Sequence, residues 1–194
     1  KESKALQKAK TLEPSLATYA WPQKSNDAIK TSLFFQAGRR VKGKLPPAEE
    51  LELLIHEAMK AYPHTEPPVW IKGGVIDDDL LRPEIRRVLD HEVKRASSPG
   101  VPLAQEAKEN ATVIANTPHL VVDAVVERLH LLARRKVPAT PTELVAGGFS
   151  DPVRAFIKNE PHPQRKTIHG RYRLIASVSL VDQMVERLLF TAQN

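Results

Sequence analysis

Residues 153–178 read VRAFIKNEPHPQRKTIHGRYRLIASV, and this segment is the most informative part of the chain for its fold. Between Arg154 and Arg173, six cationic side chains are opposed by a single carboxylate, Glu160, which gives a net charge of +5. Most of the +6 net charge of the whole chain therefore lies in one segment. A solvated surface usually mixes both signs, so the segment is a candidate phosphate-binding patch; on composition alone, a solvated face is the alternative.

Two short stretches of alternating residues flank this segment and predict a β-hairpin with a long basic tip. The predicted strands cover 153–157 and 172–178. Alternation along each strand would bring several cations, Lys158 and Arg173 among them, to one surface. Guanidinium groups bind phosphate oxygens bidentately and lysine adds a point charge, so such a cluster suits a triphosphate or an RNA backbone. Glu160, between the strands, could orient one of these cations through a hydrogen-bonded pair.

Outside the hairpin the pattern is mostly helical. Apolar residues at helical spacing, with capping residues or proline at several starts, predict helices over 26–37, 45–62, 80–96, 117–136, 140–147 and from 179 onward. A short strand is predicted at 69–72. The sequence thus predicts a helix-dominated α+β fold in four parts: an extended segment (1–22), a mostly helical region (23–150), the basic hairpin (151–178) and a final helix (179–194).

Composition excludes several classes of protein. The 194 residues suit one domain or a large piece of a bigger one, and a hydrophobic content of 41% argues against wholesale disorder. The lack of cysteine excludes a disulfide scaffold, a zinc ribbon and a thiol nucleophile. No uncharged apolar run approaches the roughly 20 residues that a transmembrane helix needs. A first residue of Lys, with no signal-peptide pattern after it, is what a fragment or a processed product would show.

The acidic residues and histidines do not form a convincing metal site. Asp77-Asp78-Asp79 is the only run of carboxylates, and it immediately precedes a helical pattern. There an aspartate caps the open amides and negative charge complements the helix dipole, so we interpret this run as a helix start. The seven histidines lack metal-ligand spacing.

Two ordered motifs carry a resemblance to a known family. Residues 156–162 (FIKNEPH), Lys166 and 170–190 (GRYRLIASVSLVDQMVERLLF) resemble motif F of viral RNA-dependent RNA polymerases, most closely the sobemovirus and polerovirus type with the related barnaviruses. Upstream, 97–102 (SSPGVP) is similar to motif G and precedes motif F in the expected order. Segments 19–22 and 32–39 resemble the N-terminal region of the same group more weakly.

The resemblance implies the fingers of a right-hand (palm, fingers and thumb) polymerase that copies a positive-strand RNA genome. The lysine and arginine that line the nucleotide channel in that family match Lys158 and Arg173, which would bind the phosphates of the incoming ribonucleoside triphosphate. Lys166 and Arg171 would be auxiliary phosphate contacts. Phosphoryl transfer is catalysed mainly by positioning and charge neutralisation, which suits these residue types.

Other implied contacts concern the RNA template and nascent strand. Ser98 and Gly100 would border the template path, where glycine lets the RNA backbone approach closely, and Ile175 would pack beneath the templating base. The resemblance also implies host cytoplasmic replication complexes as the place of action, with other viral replication proteins as possible partners.

The metal-binding aspartates of the family belong downstream of motif F, and the sequence ends at Asn194 before either of their motifs. We therefore expect the Mg²⁺ or Mn²⁺ ions to be held by the absent palm, and the 194 residues alone to be inactive. The alternatives are a non-catalytic RNA-binding module or replicase remnant that uses the same hairpin, and an interaction scaffold on which the basic hairpin is incidental.

Overall fold

A computed structural model describes residues 3–39, 43, 46–61, 67–134 and 140–190, and the chain divides into two compact units. The first unit combines Lys1–Gly43 with Ala155–Ala176, and the second combines Lys44–Arg154 with Ser177–Asn194. The chain therefore passes between the units at both roots of the basic hairpin.

Helices dominate the described residues, and the strands are short. The helices are α1 (Lys4–Leu12), α2 (Asn26–Gly38), α3 (Ala48–Ala61), α4 (Asp78–His91), α5 (Asn110–Asn116), α6 (Pro118–Arg134), α7 (Pro141–Ala146), α8 (Gln164–Ile168) and α9 (Leu180–Phe190). The strands are β1 (Tyr19–Ala20), β2 (Ile71–Lys72), β3 (Val75–Ile76), β4 (Arg154–Ile157), β5 (His162–Pro163) and β6 (Leu174–Ser177). Turns of 3₁₀ helix lie at Pro14–Thr18 and Leu103–Gln105. The prediction of a helix-dominated α+β fold is confirmed.

The second unit has its core where α4, α6 and α9 pack together, with α5 against α6. Apolar residues at helical spacing supply it: Trp70, Leu81, Ile85, Val88, Leu89, Val93, Val113, Ile114, Val121, Val122, Val125, Val126, Leu129, Leu180, Val181, Met184, Val185 and Leu188. The same periodicity had predicted the buried faces of three of these helices, α4, α6 and α9, since a stripe of apolar residues must be covered.

Capping side chains set where three helices begin. Asp77 accepts hydrogen bonds from the backbone amides of Asp79 and Leu80, which confirms the run of aspartates as a helix start. Thr140 and Glu143 form the predicted capping box at α7. The Ser179 hydroxyl accepts a hydrogen bond of 3.0 Å from the Asp182 amide and caps α9.

In the hairpin β4 pairs with β6, and β1 pairs with β5 in antiparallel fashion. The register of the second pair sets Tyr19 opposite Pro163 and Ala20 opposite His162. In chain order, β5 and α8 come after β4 and before β6. The tip of the hairpin therefore consists of a short strand and a short helix.

Several sequence-based predictions need correction. The segment 1–22, expected to be extended, contains α1, because Lys, Ala, Leu and Gln favour helix; only Tyr19–Ala20 is a strand. The helix predicted over 80–96 begins at Asp78 and ends at His91. It ends early because the carbonyls of Lys94 and Arg95 accept hydrogen bonds from the start of α5, a helix that the sequence did not predict.

The strand predicted at 69–72 is shorter and belongs to a hairpin. Lys72 pairs with Val75 across a turn in which Gly73 and Gly74 have φ values of 56° and 80°. A turn with two positive φ angles favours glycine at both positions. The predicted helix boundaries at 45, 62, 135 and 136, and the last residues of the predicted final helix, 191–194, lie outside the described residues.

No described helix combines the length and the apolar character that crossing a bilayer requires.

Candidate phosphate-binding site

The basic hairpin brings its cations together through backbone pairing at its open end and a short helix at its tip. Just beyond β4, the Lys158 amide donates a 2.9 Å hydrogen bond to the carbonyl of Arg173. At the tip, α8 carries Arg165 and Lys166, and the Arg171 amide donates to the carbonyl of Lys166 at 2.8 Å. Consequently, residues far apart in the segment share one surface.

Five cationic side chains line a single concavity of about 520 Å³, which we call the basic cavity. They are Arg39, Arg165, Lys166, Arg171 and Arg173, and the remaining lining residues are Ser32, Phe35, Gln36 and Tyr172. None of these described lining residues is a carboxylate. Because like charges repel in the absence of a counter-ion, the arrangement favours a bound anion with several oxygens.

Helix α2 forms one wall of the cavity, and Ser32 fixes it to the hairpin. The buried Ser32 hydroxyl donates a 2.7 Å hydrogen bond to the carbonyl of Gly170 and accepts one of 3.1 Å from the Tyr172 amide. Gly170 has a φ of 60°, a left-handed conformation that glycine adopts without strain. Through these bonds, the last turns of α2 are held beside the residues that follow α8.

Arg171 packs on an aromatic ring that α2 provides. Its guanidinium carbon lies 4.5 Å from the centroid of Phe35, and that of Arg39 lies 5.6 Å from the same centroid. The Arg171 Nε is buried and has no hydrogen-bond partner among the described atoms. Buried donors in proteins are nearly always hydrogen-bonded, so the Arg171 Nε–H is a donor that an oxygen atom of a bound anion can use.

Glu160 connects the two residues that the resemblance had singled out. Its carboxylate lies 2.6 Å from Lys158 Nζ and 3.3 Å from Arg173 Nη1. The hydrogen bond from Lys158 lowers the pKa of Glu160, an effect opposed by its partial burial and reinforced by the nearby charges of Lys158, Arg173 and His162. Glu160 is therefore ionised at neutral pH and holds both cations, while Lys158 itself is not among the residues that line the basic cavity.

The residues predicted to contact the template lie on other elements. Ser98 and Gly100 belong to the second unit, and Ile175 is half-buried on β6 in the first. Gly100 is buried at a φ of 68°, and a Cβ built on it would lie 2.6 Å from the carbonyl oxygen of Val178. Its amide donates to the Ser98 hydroxyl at 3.3 Å. The close approach that this glycine permits is thus to its own chain, and its contact with RNA stays a prediction.

The described residues contain no group of three or more histidines, aspartates and glutamates arranged to hold a metal ion. The hydrogen bond from Lys72 lowers the pKa of Asp77, against a partial desolvation, and the amides of Asp79 and Leu80 add to the lowering. His130 pairs with Asp78 at 2.8 Å, and His162 is buried edge-on against Tyr172. His64 lies outside the described residues.

Sequence reasoning missed Arg39, Arg165 and Phe35. Arg165 sits in the quoted basic segment, but nothing in its spacing distinguished it from a solvated charge. Arg39 and Phe35 are four apart on α2, a spacing that places them on one face, yet only the contact of α2 with the hairpin gives that face a role.

Comparison with known proteins gives a consistent answer over nearly the whole chain. Residues 2–194 match the family model described as viral RNA-directed RNA-polymerase. The chain is 43% identical to the replicase polyprotein P2AB of Cocksfoot mottle virus over 96% of its length, and 40% identical to that of Southern cowpea mosaic virus over 93%. It is 34% identical to the RNA-directed RNA polymerase of Mushroom bacilliform virus over 69% of its length.

The chain spans only part of these relatives: 20% of the Cocksfoot mottle virus protein, 19% of the Southern cowpea mosaic virus protein and 37% of the Mushroom bacilliform virus protein. No solved structure matches the chain.

Proposed function

The chain belongs to the viral RNA-directed RNA polymerase family, and from this we propose that it forms part of the fingers of a replicase that copies a positive-strand RNA genome. The resemblance drawn from motifs F and G is confirmed by relatives at 32–43% identity. In this proposal the whole protein adds ribonucleotides to an RNA 3′ end under the direction of a template, and the chain supplies the surfaces that handle substrate.

The basic cavity is the observation that carries the proposal. Arg173, Arg171 and Lys166 line one concavity whose lining residues include no carboxylate, and Glu160 contacts Arg173 from outside it, so the triphosphate of an incoming nucleotide can supply further negative charge. Lys158 reaches the same substrate from the edge, oriented with Arg173 by Glu160. Guanidinium and ammonium donors held before substrate arrives stabilise the charge that develops on transferring phosphoryl groups.

The template contacts and the parts outside this chain complete the proposal. Ser98 and Gly100 border the template path, and Ile175 packs beneath the templating base. In this proposal the helix that begins after Ser179 leads towards the palm. Family membership implies divalent metal ions, Mg²⁺ or Mn²⁺, and we assign their ligands to the palm, with cytoplasmic replication complexes as the setting.

Calorimetric titration of the 194-residue chain with inorganic tripolyphosphate and with ATP tests the phosphate site. Hydrogen bonds to charged groups contribute about 1.5–3 kcal/mol each, so Arg171→Ala should weaken binding of both ligands by roughly ten- to hundredfold. Arg134→Ala is the matched control, because this exposed arginine ends α6 and is not among the residues that line the basic cavity. Equal affinity in the parent chain and the Arg171→Ala variant would overturn the assignment.

A second measurement separates a polymerase part from a non-catalytic RNA-binding module. In a longer protein that includes the palm, Arg173→Ala should depress nucleotide incorporation severely. Normal incorporation, together with RNA binding that weakens in the same variant and whose log–log salt slope falls by about one unit, would support the RNA-binding module instead.

A further inference from the structure

The first unit contains a second concavity, of about 340 Å³, whose lining differs from that of the basic cavity. We call it the aromatic pocket, and it is lined by Leu16, Tyr19, Ala20, Trp21, Glu160 and Pro161. Tyr19 and Trp21 are 42% and 47% exposed, although large aromatic side chains are usually well buried. Two exposed aromatic rings in one pocket indicate a surface for a ligand with a flat apolar face.

The backbone sets the separation of the two rings. Tyr19 lies in β1, which ends at Ala20, and Trp21 precedes Pro22, a position that favours an extended backbone. Residues two apart on an extended chain point to the same side and are separated by roughly 6.6 Å. That is about the space in which a single planar ring can stack between two others. The pairing of β1 with β5 ties this segment to the tip of the basic hairpin.

Glu160 supplies the polar group of the aromatic pocket. Its pKa is lowered, chiefly by the hydrogen bond from Lys158, so at neutral pH it is an acceptor without a proton. A carboxylate accepts hydrogen bonds from ring and exocyclic N–H groups, and guanine presents two such donors side by side. Uracil has no exocyclic amino group.

Cations stand directly beside this carboxylate. Lys158 Nζ is 2.6 Å and Arg173 Nη1 is 3.3 Å from Glu160, and Arg173 also lines the basic cavity. A ring held between Tyr19 and Trp21 with its edge on Glu160 would therefore have phosphate-binding groups within reach. This combination of stacking faces and adjacent cations is typical of single-stranded nucleic-acid binding.

We propose that the aromatic pocket binds one unstacked base of single-stranded RNA, with guanine preferred over uracil, while its phosphate contacts Lys158 and Arg173. The choice of RNA rests on the proposed function; the pocket shares Lys158, Glu160 and Arg173 with the proposed triphosphate site, and Tyr19 and Trp21 belong to the pocket alone. Tyr19, Trp21 and Glu160 recognise the base, and the cavity with Arg171 recognises the phosphate chain.

Tryptophan fluorescence tests this directly, because the chain has two tryptophans in different settings. Trp70 is 2% exposed, so the exposed Trp21 should account for any change that a ligand in the pocket causes. Guanosine monophosphate should quench the emission of the 194-residue chain, and uridine monophosphate should quench it only at higher concentration. Inorganic tripolyphosphate should bind without quenching.

Three variants sharpen the test. A base that stacks on an aromatic side chain gains binding free energy from that contact. Tyr19→Leu should therefore weaken binding of guanosine monophosphate by roughly five- to hundredfold. Trp21→Leu should abolish the quench, and its circular dichroism should match the parent because the side chain is half exposed. Glu160→Gln should reduce the preference for guanosine over uridine monophosphate.

The outcomes separate this inference from the proposed function. If tripolyphosphate binds and loses affinity in Arg171→Ala, while guanosine monophosphate leaves Trp21 emission unchanged, the base pocket is wrong and the phosphate site stands. Quenching by a proline-rich or arginine-rich peptide, with none by either nucleotide, would also overturn the base pocket and assign the surface to a protein partner. Quenching that Tyr19→Leu weakens supports the inference even if Arg171→Ala has no effect on tripolyphosphate.

Discussion

Arg128 makes the most consequential buried ion pairs among the described residues. Its guanidinium pairs with Asp182 through Nη1 and lies 3.0 Å from Asp151 through Nη2. Asp182 in turn accepts a 2.8 Å hydrogen bond from the Asp151 amide. Asp151 precedes β4 and Asp182 follows β6, so one arginine of α6 connects the segments that enter and leave the basic hairpin.

Replacing Arg128 with methionine should destabilise the chain strongly. The side chain is 9% exposed, and its two partners are 17% and 18% exposed, so the change leaves two largely buried carboxylates without their counter-ion. Removing one partner from a buried ion pair costs about 3–5 kcal/mol. For a protein of this size, that corresponds to roughly 6–20 °C in Tm, which thermal unfolding followed by circular dichroism would register.

An exposed arginine–aspartate pair of the same unit provides the matched control. Arg82 contacts Asp123 at 2.6 Å between α4 and α6, but both side chains are exposed, at 44% and 57%. Arg82→Met should therefore lower Tm far less than Arg128→Met, since exposed ion pairs contribute little. Equal losses in the two variants would refute the reasoning. A further check is that Arg128→Met combined with Asp182→Asn should recover part of the loss, because one uncompensated charge is then removed.

Three further measurements test local features. Gly100→Ala should destabilise the chain much more than Gly74→Ala in urea unfolding, because both have positive φ but only Gly100 has backbone within 3 Å of an added Cβ. Equal losses would contradict the close approach. Thr140→Ala should cost about 1 kcal/mol, through loss of the capping box of α7, and Thr140→Ser should restore most of it. The lowered pKa of Asp77 means that its pairing with Lys72 stabilises the fold at neutral pH and is lost as the carboxylate gains a proton below about pH 4. Thermal unfolding as a function of pH should therefore show Asp77→Asn losing less stability than the parent below that pH, and parallel curves would exclude the interpretation.

Local signals in the sequence predicted local structure well. The capping box at Thr140, the cap at Ser179 and the apolar stripes of α4, α6 and α9 each depend on residues a few positions apart. The tip of the hairpin was harder to predict, because β5 forms only by pairing with β1 from the far end of the chain.

The candidate site likewise combines residues that a local pattern marks with residues that only long-range contacts bring together. Charge density marked the segment that contains Lys166, Arg171 and Arg173 as a candidate phosphate-binding patch, and the structure shows that these three side chains line one cavity. Arg39 and Phe35 could not be found in that way, because their place depends on the hydrogen bonds that Ser32 makes with Gly170 and Tyr172. No local pattern in the sequence records such a contact.

Buried polar contacts lie at both ends of the basic hairpin. Five cationic groups around one cavity repel each other, and the hairpin that carries most of them is made of two strands of four residues each, too few to hold it firmly. Within the second unit, Arg128 pairs with Asp151 before β4 and with Asp182 after β6, so the two ends of the hairpin are joined by one side chain. Close by in sequence, the Leu180 amide donates a 2.7 Å hydrogen bond to the carbonyl of Pro99, in the loop where Gly100 meets Val178. These buried contacts stabilise the segments at the two ends of the hairpin, and the loop similar to motif G takes part in them through Pro99 and Gly100.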